Sequence, residues 1–441
     1  MTETVVPQGL ALHLGDLHGS LSDPLLDAMT FLNEVTSRFP DAISFAPGRP
    51  YEGLFETDSV HDHLTEYTEY LVRERGYSPE RVRTAVFQYG RTNGEIHDLI
   101  ARTLANDEDL HVPAESIVVT VGAQEGMVLA LRALFAGPDD VLLASSPCYI
   151  GITGAARLLD IDVVGVPEAD DGLDPDRVAE VAARVRAAGR RPRALYVVPD
   201  FANPSGVSMS VPNRRRLLDV ARANDLVIIE DNPYGFFTRD DVFRPTLKWL
   251  DRERRVIYLG SFAKTCFPGA RLGYAIADQE VVDAAGGRSL LAAQFAKIKS
   301  MLTVNTPSLS QAVIGGILVR NDCRLREANR DTIRFYRSNL DRLLSELERH
   351  FPPSRRVEAG VEWNTPGGGF FVVMTVPFVV DEAALTRSAR EYGVLWTPMD
   401  AFYLDGGGRH QLRLSCSYVE PSQLVEGVRR LAAFIGDEAG R

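Results

Sequence analysis

Four stretches of this chain place chemically capable side chains at the ends of apolar runs. In LVIIED (226–231) the run leads into Glu230 and Asp231. A carboxylate ending a buried strand is costly unless a positive group pairs with it. Its plainer role is to cap the next turn. Lys264 follows VIYLGS (256–261) in SFAKTCFPGARLG, beside Ser261 and ahead of Arg271. A lysine whose surroundings lower its pKa is a nucleophilic amine that condenses with an aldehyde. Asn203, in PDFANPSG, offers an amide just after ALYVV. Gly122 ends IVVTVG (117–122), and a helix starts at Ala123 and Gln124. The free N–H groups of such a start suit a phosphate. The sequence is not GxGxxG, so it is not a dinucleotide site. Singly, each feature also reads as a turn, a cap or a solvated loop. Together they match one aldehyde cofactor that carries a phosphate.

Such residues need a scaffold that converges them. Short β-branched runs alternate with helical stretches: a helix at 95–106, strand 117–122, helix 123–135, then strands 141–147 and 161–167. A helix at 174–188, strand 194–199, helix 212–224 and strands 226–231, 256–261 and 274–277 follow. This alternation predicts an α/β fold with a mainly parallel sheet flanked by helices. Ligands of such sheets sit at the carboxyl ends of the strands, where the polar residues above fall.

Beyond residue 285 the texture changes. Helical sequence runs from 310 to 349, broken near Asn321. A strand at 367–376, a helix at 381–392, RLSCSY (413–418) and a helix at 421–435 predict a smaller α+β domain. The expected division is an N-terminal arm plus part of the small domain (1–79), a large cofactor-binding domain (80–320) and the C-terminal small domain (321–441). Residues 1–20 read as a flexible or docking arm. Residues 21–39 read as a helix capped by Ser22 or Asp23 and stopped by Pro40.

The pattern S-x-x-K-x-x-x-P-G-x-R-x-G, Ser261 to Gly273, together with NPSG and EDNPYG, resembles the class I/II aminotransferases of fold type I. The resemblance runs from about Ile43 to the C-terminal helix. It implies pyridoxal 5′-phosphate as cofactor, held covalently by Lys264. Asp231 would pair with the pyridine nitrogen, and Asn203 and Tyr234 would bond the ring hydroxyl oxygen. Ser261, Arg271, Gly122, Ala123 and Gln124 would hold the phosphate. Tyr149 would stack on the ring, and Tyr89 would reach the phosphate of a neighbouring subunit. Arg413 would grip the substrate carboxylate, with Gly48 in the loop beside it. A homodimer acting on amino acids and 2-oxo acids is implied.

The opening SDPLLDAMTFLNEVTSRFPDAISFAPGRPYEGLF is similar to transaminases that make aryl-glycines such as hydroxyphenylglycine or dihydroxyphenylglycine for peptide antibiotics. A general aromatic or 2-aminoadipate-type transaminase is the alternative, as is a decarboxylase, lyase or oxidase built on the same cofactor. The chain departs from the family pattern at Ala202, where a polar residue is common, and at Arg49 in GRP. Arg49 is either a surface ion-pair residue or a contact to a polar substrate group. Met399, Phe402 and Tyr403 are candidates for the substrate side.

Composition sets the outer bounds. The 441 residues carry a net charge of -12. That balance disfavours nucleic acid or anionic membrane as partner, although a local basic pocket needs only two or three residues. Cys148, Cys266, Cys323 and Cys416 are widely spaced and lack a CxxC pair, so a zinc site or disulfide framework is not expected. The HxH of His61 and His63 faces two ways on a helix and is not read as a metal site. The start lacks a signal-peptide pattern and no apolar run is long enough to cross a bilayer, so the expected location is the cytoplasm.

Overall fold

The computed structural model describes residues 10–240 and 242–440. The first part of the expected N-terminal arm, residues 1–9, lies outside the described residues. Its visible part, from Leu10, makes two short turns, Leu14–Asp16 and Gly19–Ser22, and exposes Leu10, Leu12 and Leu14. Asp23 caps the helix Pro24–Arg38 by accepting from the Leu25 N–H at 2.9 Å.

An eight-stranded sheet dominates the molecule. Its strands are β1 (Ile117–Thr120), β2 (Asp140–Ser146), β3 (Asp162–Ala169), β4 (Gly172–Leu173), β5 (Arg191–Val197), β6 (Val227–Asp231), β7 (Val256–Ser261) and β8 (Gly273–Ile276). The order is β1-β8-β7-β6-β5-β2-β3-β4. Pairs β3/β2, β2/β5, β5/β6 and β6/β7 are parallel, whereas β8 runs antiparallel between β7 and β1. The run YAIA is therefore a strand of reversed direction: the Pro268–Ala270 turn brings the chain straight back along β7 rather than through a crossover helix. Strands β1 and β2 are buried along their whole length, as both-face coverage by helices demands.

A second, four-stranded antiparallel sheet holds β9 (Glu362–Trp363), β10 (Phe371–Thr375), β11 (Thr397–Pro398) and β12 (Gln411–Ser415) in the order β9-β10-β12-β11. Its core gathers Trp396, Leu412, Leu414 and Phe434 of the helix Pro421–Ala439 with Val35 and Phe45 from the N-terminal segment. Ile43–Ser44 pairs in parallel with Val394–Leu395, and Ser415 donates its N–H to the Phe45 carbonyl at 2.7 Å. The loop Ala46–Arg49 is thereby fastened to the C-terminal part.

The segment 1–79 does not pack as one piece. Tyr67, Tyr70 and Leu71, from the helix Ser59–Arg73, pack with Ile314 and Leu318 of the helix Ser308–Arg320, and with Ile117 and Val119 of β1. The helix Arg330–His350 spans both parts: Tyr336 lies in the core of the large sheet, and Leu340, Leu343 and Leu347 lie in that of the small one.

Candidate active site

A cavity of about 490 Å³ opens at the carboxyl ends of the parallel strands, under the Ala46–Arg49 loop. Gly48, Gly122, Ala123, Gln124, Tyr149, Asn203, Asp231, Tyr234, Ser261, Lys264, Arg271 and Arg413 all line it. Most of these residues follow strands of the large sheet, whereas Arg413 comes from a strand of the small sheet and Gly48 from the loop fastened to it. Tyr89 does not line the cavity, and is 82% exposed.

Asp231 ends β6. Strand alternation sends its neighbour Glu230 to the opposite face, where the Leu247 and Lys248 N–H groups donate to it at 2.8 and 2.7 Å. One Asp231 oxygen accepts from the Tyr196 hydroxyl at 2.7 Å; the other, Oδ1, is buried with no partner. Burial raises the Asp231 carboxyl to about 6, against the pull of Tyr196 and Lys264. An orphaned buried carboxylate oxygen costs on the order of 1–3 kcal/mol, and a protonated ring nitrogen would satisfy it.

Lys264 lies in the turn after β7 and donates to the Gly48 carbonyl at 2.8 Å. Desolvation lowers its ammonium to about 8; Arg271 and Arg413 push the same way and Asp231 opposes. The shift increases the share of free amine at neutral pH to about a tenth, the form that attacks an aldehyde.

At the cavity's other end Gly122 takes φ +71, and a Cβ there would lie 2.7 Å from the Arg271 guanidinium. Only glycine lets the turn and the arginine approach this closely. Arg271 itself has a left-handed φ of 47, which turns it toward the Gly122–Leu134 helix start. Helix N–H groups, Arg271 and the Ser261 hydroxyl make a site whose chemistry fits a phosphate.

Arg413, on β12, is buried. Its Nη1 donates to Asn203 Oδ1 at 2.5 Å, and Nη2 to the Ala46 carbonyl at 2.9 Å and Thr397 Oγ1 at 3.2 Å. Its guanidinium lies over the Phe371 ring at 4.4 Å, and Nε has no partner. Burial lowers it to about 10, with Tyr234 and Tyr149 raising it, so it stays cationic at neutral pH. Burial also raises the Tyr149 hydroxyl to about 12 and moves Tyr234 upward, keeping both as neutral donors.

The remaining lining residues include Thr36, Ile150, Val198 and Phe402. Only Phe402 carried a sequence signal; the others sit in helices and strand ends whose patterns read as core. Met399 and Tyr403 pack behind Ile150 and Phe402 rather than on the cavity. Arg49 lines the cavity with its guanidinium 4.4 Å from the Tyr418 ring, and among the described residues it forms no ion pair. Tyr196, which holds Asp231, read as a core strand residue, and the strand pattern gave no sign of its bond.

Against known families, the description "Aminotransferase class I and II" matches residues 74–431. The chain belongs to the class I and II aminotransferases. These enzymes use pyridoxal 5′-phosphate. The orphaned Asp231 oxygen and the Gly122 turn beside Arg271 fit that cofactor.

The chain is 51% identical over 424 residues to the (S)-3,5-dihydroxyphenylglycine transaminase of Amycolatopsis orientalis, covering 96% of this chain and 94% of that one. It is 31% identical to the 2-aminoadipate transaminase of Thermus thermophilus, covering 91% of each. Among solved structures, the multiple substrate aminotransferase of Thermococcus profundus superposes with a TM-score of 0.79 at 28% identity, over 97% of this chain and 99% of that one. The fold-type expectation holds: a mostly parallel large sheet flanked by helices, plus a small antiparallel sheet.

Proposed function

We propose that this aminotransferase acts on aryl-glycines, with 3,5-dihydroxyphenylglycine and its 2-oxo acid as the pair that fits best. The 51% identity over 424 residues to a transaminase of that amino acid is the observation that carries the substrate. The cavity supports it. Ile150 and Phe402 supply apolar walls for a ring, and Arg49, without an acid partner among the described residues, offers donors to ring hydroxyls. The 2-aminoadipate reading rests on the 31% relative, and there Arg49 would meet a distal carboxylate.

In this reading Lys264 holds the cofactor, Asp231 Oδ1 faces its pyridine nitrogen, and Asn203 and Tyr234 donate toward its ring oxygen. Tyr149, which lines the cavity, would pack on the ring. Ser261, Arg271 and the N–H groups at 122–124 take the phosphate. When bound, the cofactor supplies an electron sink for the charge that develops at the substrate Cα. Arg413 fixes the substrate carboxylate and so sets which Cα bond is presented. Lys264 Nζ, whose pKa burial lowers, would take the Cα proton as base and return it as acid. Gly48 keeps the loop over the site close: a Cβ there would strike the Phe371 ring at 2.5 Å.

The functional unit proposed is a homodimer in the cytoplasm, with Tyr89 reaching the partner's phosphate. Phe87, Tyr89, Met301, Leu302 and Leu309 are all exposed. The Ser308 hydroxyl, donating to the Gln88 carbonyl at 3.1 Å, ties two of these segments together. A second copy on this face would cover them. No helix among the described residues is long and apolar enough to cross a membrane.

The test is a titration of the purified holoenzyme with amino acids, followed by the cofactor's visible absorption. 3,5-Dihydroxyphenylglycine is expected to convert the cofactor to its amine form at lower concentration than phenylalanine or 2-aminoadipate. Preferential conversion by 2-aminoadipate would overturn the substrate assignment.

A further inference from the structure

Behind the phosphate site lies a buried polar cluster that takes no part in the roles above. Glu125, one residue past Gln124, lies 2.7 Å from Lys299 Nζ; Glu125 is 7% exposed at its side chain and Lys299 0%. Thr303 accepts from Lys299 Nζ at 2.9 Å and donates to Glu125 Oε1 at 2.6 Å. Glu125 Oε2 also accepts the Val121 N–H at 2.7 Å. The triad thus reaches the turn that opens the Gly122–Leu134 helix through Glu125, which starts from that helix and holds the Val121 N–H. Lys299 and Thr303 belong to the far end of another helix, Leu291–Leu302, and its exit.

A second, independent feature marks the same place. Val304, next to Thr303, has φ +65. A β-branched residue is strained there, and such strain persists only where the surroundings over-determine it. The Val304 N–H bonds the Lys299 carbonyl at 3.2 Å, closing the helix end so that the Lys299 and Thr303 side chains both face Glu125. A buried ion pair contributes little to net stability compared with apolar packing, so its use here points to geometry rather than stabilisation.

We propose that Glu125, Lys299 and Thr303 form a positioning clamp that fixes the 121–124 turn in the shape that binds the cofactor's phosphate. The proposal rests on the reading that this turn holds the phosphate. The clamp acts through Val121 and the first turn of the helix, so it governs affinity for the phosphate and not for the pyridine ring.

The discriminating measurement compares pyridoxal 5′-phosphate with pyridoxal, which lacks the phosphate, on the full-length chain. Cofactor release from the holoenzyme and rebinding of each compound are followed by absorbance for wild type, Lys299→Met and the milder Thr303→Val. The variants are expected to release pyridoxal 5′-phosphate at least about tenfold faster. Their affinity for pyridoxal should stay within about twofold of wild type. If Lys299→Met fails to fold, Thr303→Val carries the test alone. Unchanged release of pyridoxal 5′-phosphate, or equal loss for both compounds, overturns the clamp. Should wild type itself bind pyridoxal as tightly as pyridoxal 5′-phosphate, the phosphate-site reading falls first.

Discussion

The two walls of the cavity are built differently. The floor consists of strand ends of one sheet and is held by short bonds: Tyr196 to Asp231, and Lys299 to Glu125 behind the 121–124 turn. The loop that carries Asn203 is fastened at its base by Arg214, which is fully buried and bonds Asp200 along with the Pro199 and Met209 carbonyls. The roof is an irregular loop, Ala46–Arg49, hung on the small sheet through Ser415 and Arg413, with an exposed arginine at its rim. A sheet edge holds several groups in one geometry because neighbouring strands constrain one another. A loop tolerates substitution without disturbing them. In the proposed reading, the common chemistry belongs to the floor, and discrimination among side chains belongs to the roof.

Substitutions can break this division, and the largest effect falls on the floor. Lys264→Ala should lower transamination by at least about 10⁴-fold with the circular-dichroism spectrum unchanged. Turnover near the wild-type rate would remove Lys264 from the mechanism. Asp231→Asn keeps the shape but loses the charge proposed to face the ring nitrogen. Its kcat should drop about 10²- to 10³-fold, as read in a single-turnover assay.

At the junction of floor and roof, Arg413→Leu should raise KM for the amino acid and lower kcat/KM about 100-fold. Cofactor binding should remain normal, as checked by the holoenzyme spectrum. Arg49→Leu tests the roof alone. It should reduce the preference for 3,5-dihydroxyphenylglycine over phenylglycine about tenfold, while kcat with phenylglycine stays within about twofold. A preference that survives the substitution would place recognition of the ring hydroxyls elsewhere.

The smallest effect is on stability. The folded-state pKa of Asp231 is raised to about 6 by burial. The folded cofactor-free chain therefore binds more protons than the unfolded chain between the usual carboxylate range, near 4, and about 6. Stability falls as pH rises through that window. Asp231→Asn removes the effect, so melting curves of the cofactor-free proteins should show the variant gaining on wild type from pH 4 to 6 and holding that gain at pH 7.

Much of the floor was legible because each site residue follows an apolar run. VIIED, VIYLGS and IVVT all became strands, and the polar residue at or just past each end faces the cavity or the turn beside it. The antiparallel run of β8 was not legible, since a strand's direction depends on the turn before it and on the neighbours it meets. Nor was the split of residues 1–79, because an amphipathic helix declares that it has an apolar face and not which surface covers it.

By itself the sequence determined the reactive set: a lysine, a carboxylate, an amide, arginines and a glycine turn, at spacings that an alternating α/β chain converts into strand ends. Tertiary structure alone decided which groups hold those residues in place. Tyr196 lies in a stretch patterned as a core strand, and Lys299 and Thr303 in one that carried no assignment, all far along the chain from what they bond. A hydrogen bond between distant segments leaves no periodicity in either one. It exists only once burial has removed water as the competing partner.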